Sequence, residues 1–438
     1  MKKRIFALVV GLWASLSFVS CGGYNTQKGP PSRLPNRVLA SQGVTAGVSA
    51  FGELVIINGQ NDTLPRLAPL SGGNSPGLMV LSPTRNIATT FDASSNTVFA
   101  IDTTRESGIG QGVRLPGPTK SIAIPSASPI GYAAVPTATI NGFPFLGAVE
   151  VMNFSGSVLT TTIAVANANT VVANSNGSQL LVFSADSDSV TVIFPTLAVP
   201  PVDTSCYTNP PNVVCNIVQD ASFSRPVNAI ISGSTAYILN CGVQCGGTQQ
   251  ASVAVFDLGS LSVTQTIPVD AATMALLNGS TLYVAGTPAN FPCPASQNTA
   301  AKLCGELDVI DLGSMQKTSS VAITDGYHTR MDMTSNGQIF IGSLDCTNIG
   351  NVNNPSGEVR GCLSIYRTSD GSVIFPPDNG DVNGLQSFTT RNVEYVAEGG
   401  LLRVYDTTKD ILLIDDFLPQ GTINIVGYVG DVKAIDFF

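Results

Sequence analysis

The sequence is poor in charge, in histidine and in tryptophan. Of its 438 residues 12% are charged and 43% are hydrophobic, with one histidine and one tryptophan. Disordered chains combine low hydrophobicity with high charge, and helical arrays need far more Ala, Glu, Lys and Leu, so both classes are excluded. A single imidazole excludes sites that need two histidines. The HExxH and Walker patterns are absent as well.

Positive charge is scarcer than negative charge. Lys and Arg number 21 against 30 Asp and Glu, and the formal net charge is −9. Three of the cations, Lys2, Lys3 and Arg4, lie in a segment that we expect to be removed, so the mature chain is more acidic still. Such a surface repels phosphate backbones, and we predict no nucleic-acid partner.

Residues 1–20 have the pattern of an export signal. Lys2, Lys3 and Arg4 are followed by an apolar run, residues 5–16, that is too short for a membrane span. Phe18-Val19-Ser20-Cys21 resembles the lipobox of bacterial lipoproteins, in which the cysteine thiol takes a diacylglycerol and becomes the new N-terminus. The alternative is an ordinary signal peptide. The resemblance implies an exported lipoprotein of the bacterial outer membrane or cell surface, with the periplasmic side also open.

Residues 21–47 are predicted to be the lipidated Cys21 and a flexible tether. The segment begins with Gly-Gly, contains Pro-Pro and shows no apolar periodicity. Acyl chains on Cys21 would hold the protein on a membrane, because each buried CH2 contributes about 0.8 kcal/mol. The remaining residues, 48–438, are predicted to form one domain.

The cysteines support an exported location. With Cys21 set aside, eight remain, and an even number in an exported chain favours disulfides. They fall as four sequence neighbours, so we predict the pairs Cys206–Cys215, Cys241–Cys245, Cys293–Cys304 and Cys346–Cys362. Metal binding through Cys241-Gly-Val-Gln-Cys245 is disfavoured, because the spacing is not CxxC and an oxidising compartment removes free thiols. We predict neither a metal nor a cofactor.

One alternating apolar strand recurs along the chain and most often ends in Asp or Asn. Its eight copies lie at residues 54–58, 98–102, 149–153, 190–194, 253–257, 307–311, 363–367 and 402–406. Two strands precede most copies and one follows, without helical periodicity anywhere. Four strands in each period of about 40 to 50 residues predict the blade of a β-propeller. The aspartates that end these strands are predicted to shape turns by accepting backbone hydrogen bonds, and not to be catalytic.

The chain ends predict how the ring closes. Two strands are expected at the C-terminus, at residues 423–428 and 432–438, and two near the N-terminus, at 53–58 and 63–67. Pairing them would complete one blade and leave no long exposed edge. The fold class is therefore all-β, a propeller of four-stranded blades closed by its terminal strands. The count is eight, or seven if residues 190–215 are an insertion.

Two segments carry a family resemblance. Tyr283-Val284-Ala285 with residues 307–311, and Tyr395-Val396-Ala397 with residues 402–406, resemble the YVTN-type propeller repeat of bacterial exported proteins. The resemblance covers roughly residues 48–438, and it implies a fold more than a function, since the family includes both binding proteins and lactonase-like sequences. Trp13 leaves with the signal, so WD-repeat, sialidase-type and quinoprotein propellers, whose blades use tryptophan, are disfavoured.

Two clusters of polar residues are candidate sites. Residues 378–384, DNGDVNG, gather oxygen ligands but lack the spacing and the closing Glu of a calcium loop, so we interpret them as a turn between blades. His328, with Arg330 and Asp332, stands where an innermost strand begins, which is near the rim of the central channel. Lys120 and Arg225 occupy similar positions in other repeats. These five residues are the candidate ligand contacts, for an anionic ligand.

Two functions follow from these features. The favoured one is a non-catalytic, lipid-anchored propeller that binds a protein or an envelope polymer through disulfide-pinned loops, because rigid loops lose little entropy on binding. The alternative is a propeller hydrolase of lactonase-like type, with His328 as acid or base beside Arg330, Arg225 and Asp332.

Overall fold

Eight antiparallel sheets make up the computed structural model, and together they form an eight-bladed β-propeller. The structure describes residues 31–44, 52–125, 128–140, 144–195, 207–209, 214–293, 303–346, 361–376, 380–388, 390–414 and 418–436. The expected signal and Cys21 lie outside these residues. Within the described part, no helix is long and apolar enough to cross a membrane.

The strands are numbered along the chain, and the blades are numbered 1 to 8 from β4 onwards, with β1–β3 belonging to blade 8. The first half contains β1 (Arg37–Gly43), β2 (Glu53–Asn58), β3 (Leu70–Ser71), β4 (Pro76–Leu81), β5 (Ile87–Asp92), β6 (Thr97–Asp102), β7 (Ser107–Arg114), β8 (Ser121–Ala123), β9 (Ile130–Thr139), β10 (Leu146–Asn153), β11 (Val158–Ala164), β12 (Ala168–Ala173), β13 (Leu180–Ser184), β14 (Ser189–Phe194), β15 (Tyr207–Asn209) and β16 (Val214–Gln219).

The second half contains blades 4 to 7, the inner strand of blade 8 and one short 3-10 helix, η1 (Gly242–Cys245). Its strands are β17 (Pro226–Ser232), β18 (Thr235–Asn240), β19 (Ser252–Asp257), β20 (Ser262–Pro268), β21 (Met274–Asn278), β22 (Thr281–Gly286), β23 (Gly305–Asp311), β24 (Gln316–Ile323), β25 (Tyr327–Met333), β26 (Gln338–Leu344), β27 (Leu363–Arg367), β28 (Val373–Ile374), β29 (Val382–Phe388), β30 (Val393–Glu398), β31 (Leu401–Asp406), β32 (Ile411–Leu412), β33 (Thr422–Ile423) and β34 (Tyr428–Ala434).

The eight predicted copies of the recurring strand are confirmed as the third strand of each blade. They are β2, β6, β10, β14, β19, β23, β27 and β31, each of which is the third strand of its sheet counted outwards from the axis of the ring. Apolar side chains on both faces of these strands are buried between neighbouring blades. Leu239 and Val253 of blade 4, for example, share one core cluster with Leu282 and Val284 of blade 5.

The predicted role of the repeated aspartates is confirmed. Asp257 accepts hydrogen bonds from the backbone N–H of Ser260 at 2.7 Å and of Gly259 at 3.1 Å, in the turn between the third and fourth strands. Asp311 is held in the same way by Ser314 and Gly313. The Ser260 N–H lowers the pKa of Asp257, and the Ser314 hydroxyl lowers the pKa of Asp311. These carboxylates shape turns because a charged acceptor satisfies backbone donors that the strand leaves free.

The ring closes by pairing the chain ends, but the division of strands differs from the prediction. Blade 8 has the order β3-β2-β1-β34, with three N-terminal strands and one C-terminal strand instead of two and two. Strand β1 pairs antiparallel with β34, from Val38 opposite Ala434 to Gly43 opposite Tyr428. Residues 37–43, which were expected to lie in the tether, therefore form the strand that seals the ring. The expected strand at 63–67 is replaced by β3, and β33 pairs with β31 of blade 7.

The irregular segment at residues 190–215 does not remove a blade. Strands β14 and β16 are the third and fourth strands of blade 3, so the count is eight and the seven-bladed alternative is wrong. Between them the chain crosses to blade 2, where β15 pairs with β11 and adds a fifth strand. The insertion is thus used to cover the edge of a neighbouring blade.

The antiparallel order gives the ring two distinct faces. Loops between second and third strands emerge on the same face as the links from one blade to the next, because alternate strands run in opposite directions. We call this the disulfide face. The turns between first and second strands and between third and fourth strands lie on the other side, which we call the turn face.

Candidate functional site

Three disulfides lie on the disulfide face in three consecutive blades. Cys241–Cys245 closes the loop after β18 of blade 4, Cys293–Cys304 the loop after β22 of blade 5, and Cys346–Cys362 the loop after β26 of blade 6. Their Cα–Cα distances of 5.6, 5.0 and 5.6 Å are ordinary for disulfides. These three predicted pairs are confirmed.

The fourth predicted pair is described on one side only. Cys215 of β16 is disulfide-bonded and packs in the core, while its expected partner, Cys206, lies outside the described residues. Cys215 stands at the beginning of a fourth strand, next to the turn face. The disulfides of blades 4 to 6 are therefore set apart by sharing one face.

A cleft opens on the disulfide face between blades 4 and 5. It has a volume of about 380 Å³ and is lined by Cys241, Gln244, Gln250, Asp270, Phe291 and Glu306, among others. Gln244 belongs to η1, Asp270 to the link between the blades, and Phe291 to the loop that Cys293–Cys304 closes. The Gln244 side chain accepts a hydrogen bond from the backbone N–H of Thr287 at 3.0 Å, which fastens one loop to the other. The volume of the cleft falls in the range of pockets that take a small molecule or a side chain.

Three carboxylates stand together at this cleft, and two of them, Asp270 and Glu306, line it. Oxygens of Asp270, Glu306 and Asp308 lie within 4.8 Å of one another, with Glu306 and Asp308 buried. Lys317 of β24 forms ion pairs with Asp270 and, at 3.3 Å, with Asp308. The Asp270 N–H and the Ser320 hydroxyl donate to Asp308 at 3.1 and 2.5 Å. Lys317 therefore supplies the positive charge that two of the three carboxylates require.

Glu306 differs electrostatically from its neighbours. Its side chain is 4% exposed, and burial together with the nearby charge of Asp308 raises its pKa to about 7. A carboxyl with such a pKa changes its protonation near neutral pH, so it can either donate or accept a hydrogen bond there. Among the described residues, Asp270, Glu306 and Asp308 form the group of carboxylates that could hold a metal cation. The Lys317 ammonium already supplies a positive charge there.

His328 begins an innermost strand, as predicted, but its side chain is buried. It is the second residue of β25, its exposure is 0%, and its Nε2 donates to the carbonyl oxygen of Thr324 at 2.9 Å. Its Nδ1 has no hydrogen-bond partner among the described residues. Burial lowers its pKa to about 4, so the ring is neutral at physiological pH. A Cβ added at Gly305 would lie 2.8 Å from His328 Cε1, which shows how closely the ring is enclosed.

The other predicted contacts are spread around the ring. Lys120 is exposed and precedes β8 of blade 2, and Arg225 is half-buried and precedes β17 of blade 4. The backbone N–H of Arg225 donates to Asp188 at 2.8 Å. Arg330 of β25 donates from Nε to the carbonyl oxygen of Asn383 at 2.7 Å, which ties blade 6 to blade 7. These residues therefore belong to three different blades, 2, 4 and 6.

Asp332 belongs to a contact between blades. It accepts hydrogen bonds from the backbone N–H of Ser387 at 2.7 Å and of Met333 at 2.9 Å. Burial raises its pKa. Burial also raises the pKa of Glu394 of β30 well above the usual value, and the charge of Asp332 adds to this effect. The side-chain oxygens of Glu394 have no hydrogen-bond partner in the described part of the chain, which is consistent with a protonated, neutral carboxyl.

Of the predicted turn at residues 378–384, Gly380 and Asp381 lie in the link from blade 6 to blade 7. Asp378 and Asn379 lie outside the described residues, whereas Val382, Asn383 and Gly384 are already in β29. Asp381 accepts a hydrogen bond from the backbone N–H of Asp345 at 2.9 Å and so joins the link to the loop after β26.

The acidic cleft was missed in the sequence, although one signal was present. Glu306 and Asp308 are two positions apart on a third strand, so they lie on the same face of it. Two acids on one side of a buried strand indicate a polar site. Asp270 and Lys317 could not be assigned to it without the contact between blades.

The comparisons with known proteins agree with the fold. No protein-family model and no curated protein matches the sequence. A solved structure described as dihydro-heme d1 dehydrogenase NirN in complex with DHE matches with a TM-score of 0.55 and 11% identity, over 94% of this chain and 79% of that one. Kuenenia stuttgartiensis hydrazine synthase matches with a TM-score of 0.45 and 14% identity, over 83% of this chain and 93% of that one. The likeness to the first of these structures, at 11% identity, is a likeness of overall fold and nothing finer.

Proposed function

We propose that this chain is a non-catalytic, lipid-anchored protein of the bacterial cell envelope that binds a protein or an envelope polymer through its disulfide face. The observation that carries the proposal is the row of disulfides in blades 4, 5 and 6, which all close loops of that one face. The YVTN-type and lipobox resemblances are consistent with this role.

The physical argument concerns the entropy of binding. Loops that must become ordered on binding lose conformational freedom, and this loss weakens the complex. A disulfide removes much of that freedom before the partner arrives. The cleft between blades 4 and 5 has two such loops as its walls, one with Cys241–Cys245 and one with Cys293–Cys304. We infer that the cleft is the centre of the binding surface.

Two further features support the proposal. Disulfides persist in oxidising compartments and are rare in the cytosol, which favours an exported location. The proposed acid or base of the hydrolase alternative, His328, is fully buried and neutral, and its ring lies close against Gly305. The favoured role therefore remains binding.

Site-specific photo-crosslinking in the native envelope tests the proposal. A photoreactive amino acid is placed at the position of Val243, which is 55% exposed beside the cleft, or at that of Ser260, which is exposed in the turn face of the same blade. We expect discrete crosslinked species from position 243 and none from position 260. A Phe291→Ala variant should weaken the crosslink at position 243 by altering the cleft wall. Equal crosslinking from both positions, or none from either, would contradict the proposal.

A further inference from the structure

We propose that the anchored protein lies with its turn face towards the lipid bilayer and presents its disulfide face away from it. The proposal rests on the lipid anchor of the proposed function, and it adds an orientation that the anchor alone does not determine. It follows from the place at which the N-terminal segment joins the ring.

The described N-terminal segment is fastened to the turn face. Ser32 donates to Glu106 from its backbone N–H at 2.7 Å and from its hydroxyl at 2.5 Å. Glu106 lies in the turn between β6 and β7, that is, between the third and fourth strands of blade 1. Gly59, just beyond the third strand of blade 8, donates its N–H to the carbonyl oxygen of Asn36 at 2.8 Å. The chain thus reaches β1 across the turn face.

Arg37 fixes the point of entry. Its guanidinium forms ion pairs with Glu106 at 2.9 Å and with Asp436 at 2.6 Å, and the residue is 5% exposed. Its carbonyl oxygen accepts a hydrogen bond from the backbone N–H of Ile435 at 3.0 Å. Moving the segment to the other face would break buried ion pairs, which is strongly unfavourable because a charge would stay buried without its partner.

The length of the predicted tether limits how far the bilayer can lie from this point. Eleven positions separate Cys21 from Ser32. A flexible chain of that length has a root-mean-square span of about 18 Å and a fully extended reach of about 40 Å. The path from β1 over the outer strands to the disulfide face is about 30 Å, from two strand spacings and the length of a six-residue strand. A flexible tether therefore favours the turn face over the disulfide face.

Energy transfer to a labelled bilayer tests the orientation. The chain from Cys21 onwards is coupled through that thiol to a maleimide lipid in phosphatidylcholine vesicles that contain an acceptor-labelled lipid. The described cysteines are all in disulfides, so Cys21 is the intended site of coupling. A donor dye is attached to an azide-bearing amino acid at position 248 or 260. Both positions are exposed and lie in blade 4, on the disulfide face and on the turn face respectively.

We expect transfer from position 260 to exceed that from position 248 by about two-fold or more, because the two faces are about 20 Å apart. A Glu106→Ala variant removes both acceptors of Ser32 and lengthens the free tether, so the difference should shrink; circular dichroism confirms that the variant is folded. Equal transfer from both positions, or more from position 248, would overturn the orientation. Because the lipid is attached chemically, this outcome is separate from whether the native Cys21 is acylated, which mass spectrometry determines, and from whether a partner binds.

Discussion

Arg37 and Asp436 are 399 positions apart in the chain, and their side chains form an ion pair across the closing blade. The Nη2–Oδ1 distance is 2.6 Å, and the same carboxylate accepts hydrogen bonds from Arg37 Nε at 3.0 Å and from its backbone N–H at 2.7 Å. Arg37 precedes the pairing of β1 with β34, and Asp436 follows it. This contact therefore fastens the two ends of the chain at the seam of the ring.

The first prediction concerns this seam. Arg37→Ala should lower the free energy of unfolding by about 3 kcal/mol, because it leaves Glu106 and Asp436 without their shared partner. Urea denaturation followed by tyrosine fluorescence measures the change. Arg105→Ala is the matched control: its side chain is 81% exposed and pairs with Asp102 at 3.6 Å, so it should change stability by less than about 0.5 kcal/mol. Equal effects of the two substitutions would show that the seam is not held by Arg37.

The second prediction concerns the disulfides of blades 4 to 6. Replacing both cysteines of a pair by serine should destabilise the protein in the order of loop length, with sequence separations of 16, 11 and 4. The chain-entropy relation gives about 3 kcal/mol for Cys346–Cys362 and about 2 kcal/mol for Cys241–Cys245. Thermal unfolding of the three double variants checks the order. The reverse order would show that the disulfides stabilise the protein through contacts in the folded loops and not by restricting the unfolded chain.

The third prediction concerns the pH dependence that His328 introduces. Its folded pKa of about 4 lies below its usual value of 6.5, so the stability that it contributes is present above pH 6.5 and is lost as the pH falls towards 4. It is the single histidine of the sequence, so its imidazole signals in an NMR titration are unambiguous. We expect their midpoint near pH 4. A midpoint near 6.5 would mean that the ring is accessible, and the hydrolase hypothesis would regain support.

The fourth prediction concerns Glu306 in the cleft. Its folded pKa of about 7 lies above the usual 4.5, so the stability that it contributes is present below pH 4.5 and is lost as the pH rises through 7. Glu306→Gln replaces the carboxyl group by an uncharged amide of the same shape. The variant should match the original protein at pH 4.5 and exceed it by about 3 kcal/mol at pH 8, at about 1.4 kcal/mol for each pKa unit of the shift. Urea denaturation at both pH values measures this difference, and Asp186→Asn, at an exposed carboxylate, is the control. If the stabilities of the variant and of the original protein differ by the same amount at both pH values, the raised pKa of Glu306 is contradicted.

The repeat was predictable because it is encoded locally. Strands β19 and β23, for instance, each carry alternating apolar residues and end in an Asp that accepts hydrogen bonds from the next turn. Both features depend on residues within a few positions of one another. Neighbouring cysteines likewise predicted the three disulfides that the structure describes in full.

The closing strand and the cleft were not predictable in the same way. Residues 37–43 form a strand because β34, almost 400 positions away, offers them a hydrogen-bonded edge. Asp270 and Glu306 meet only because blades 4 and 5 pack against each other. His328 was expected at the channel rim because it begins an innermost strand, but Gly305 and Thr324 enclose it. In each case the deciding contact comes from a distant part of the chain.

The amino-acid order alone determined the all-β class, the four-strand period, the aspartate turns and the pairing of neighbouring cysteines, since each depends on short-range alternation or loop closure. Only the tertiary structure decided which strand seals the ring, on which face the disulfides lie and which polar side chains are buried. Those outcomes depend on how eight separate sheets pack around one axis. Whether a side chain is buried between two blades depends on both blades together, so the sequence of one blade cannot determine it.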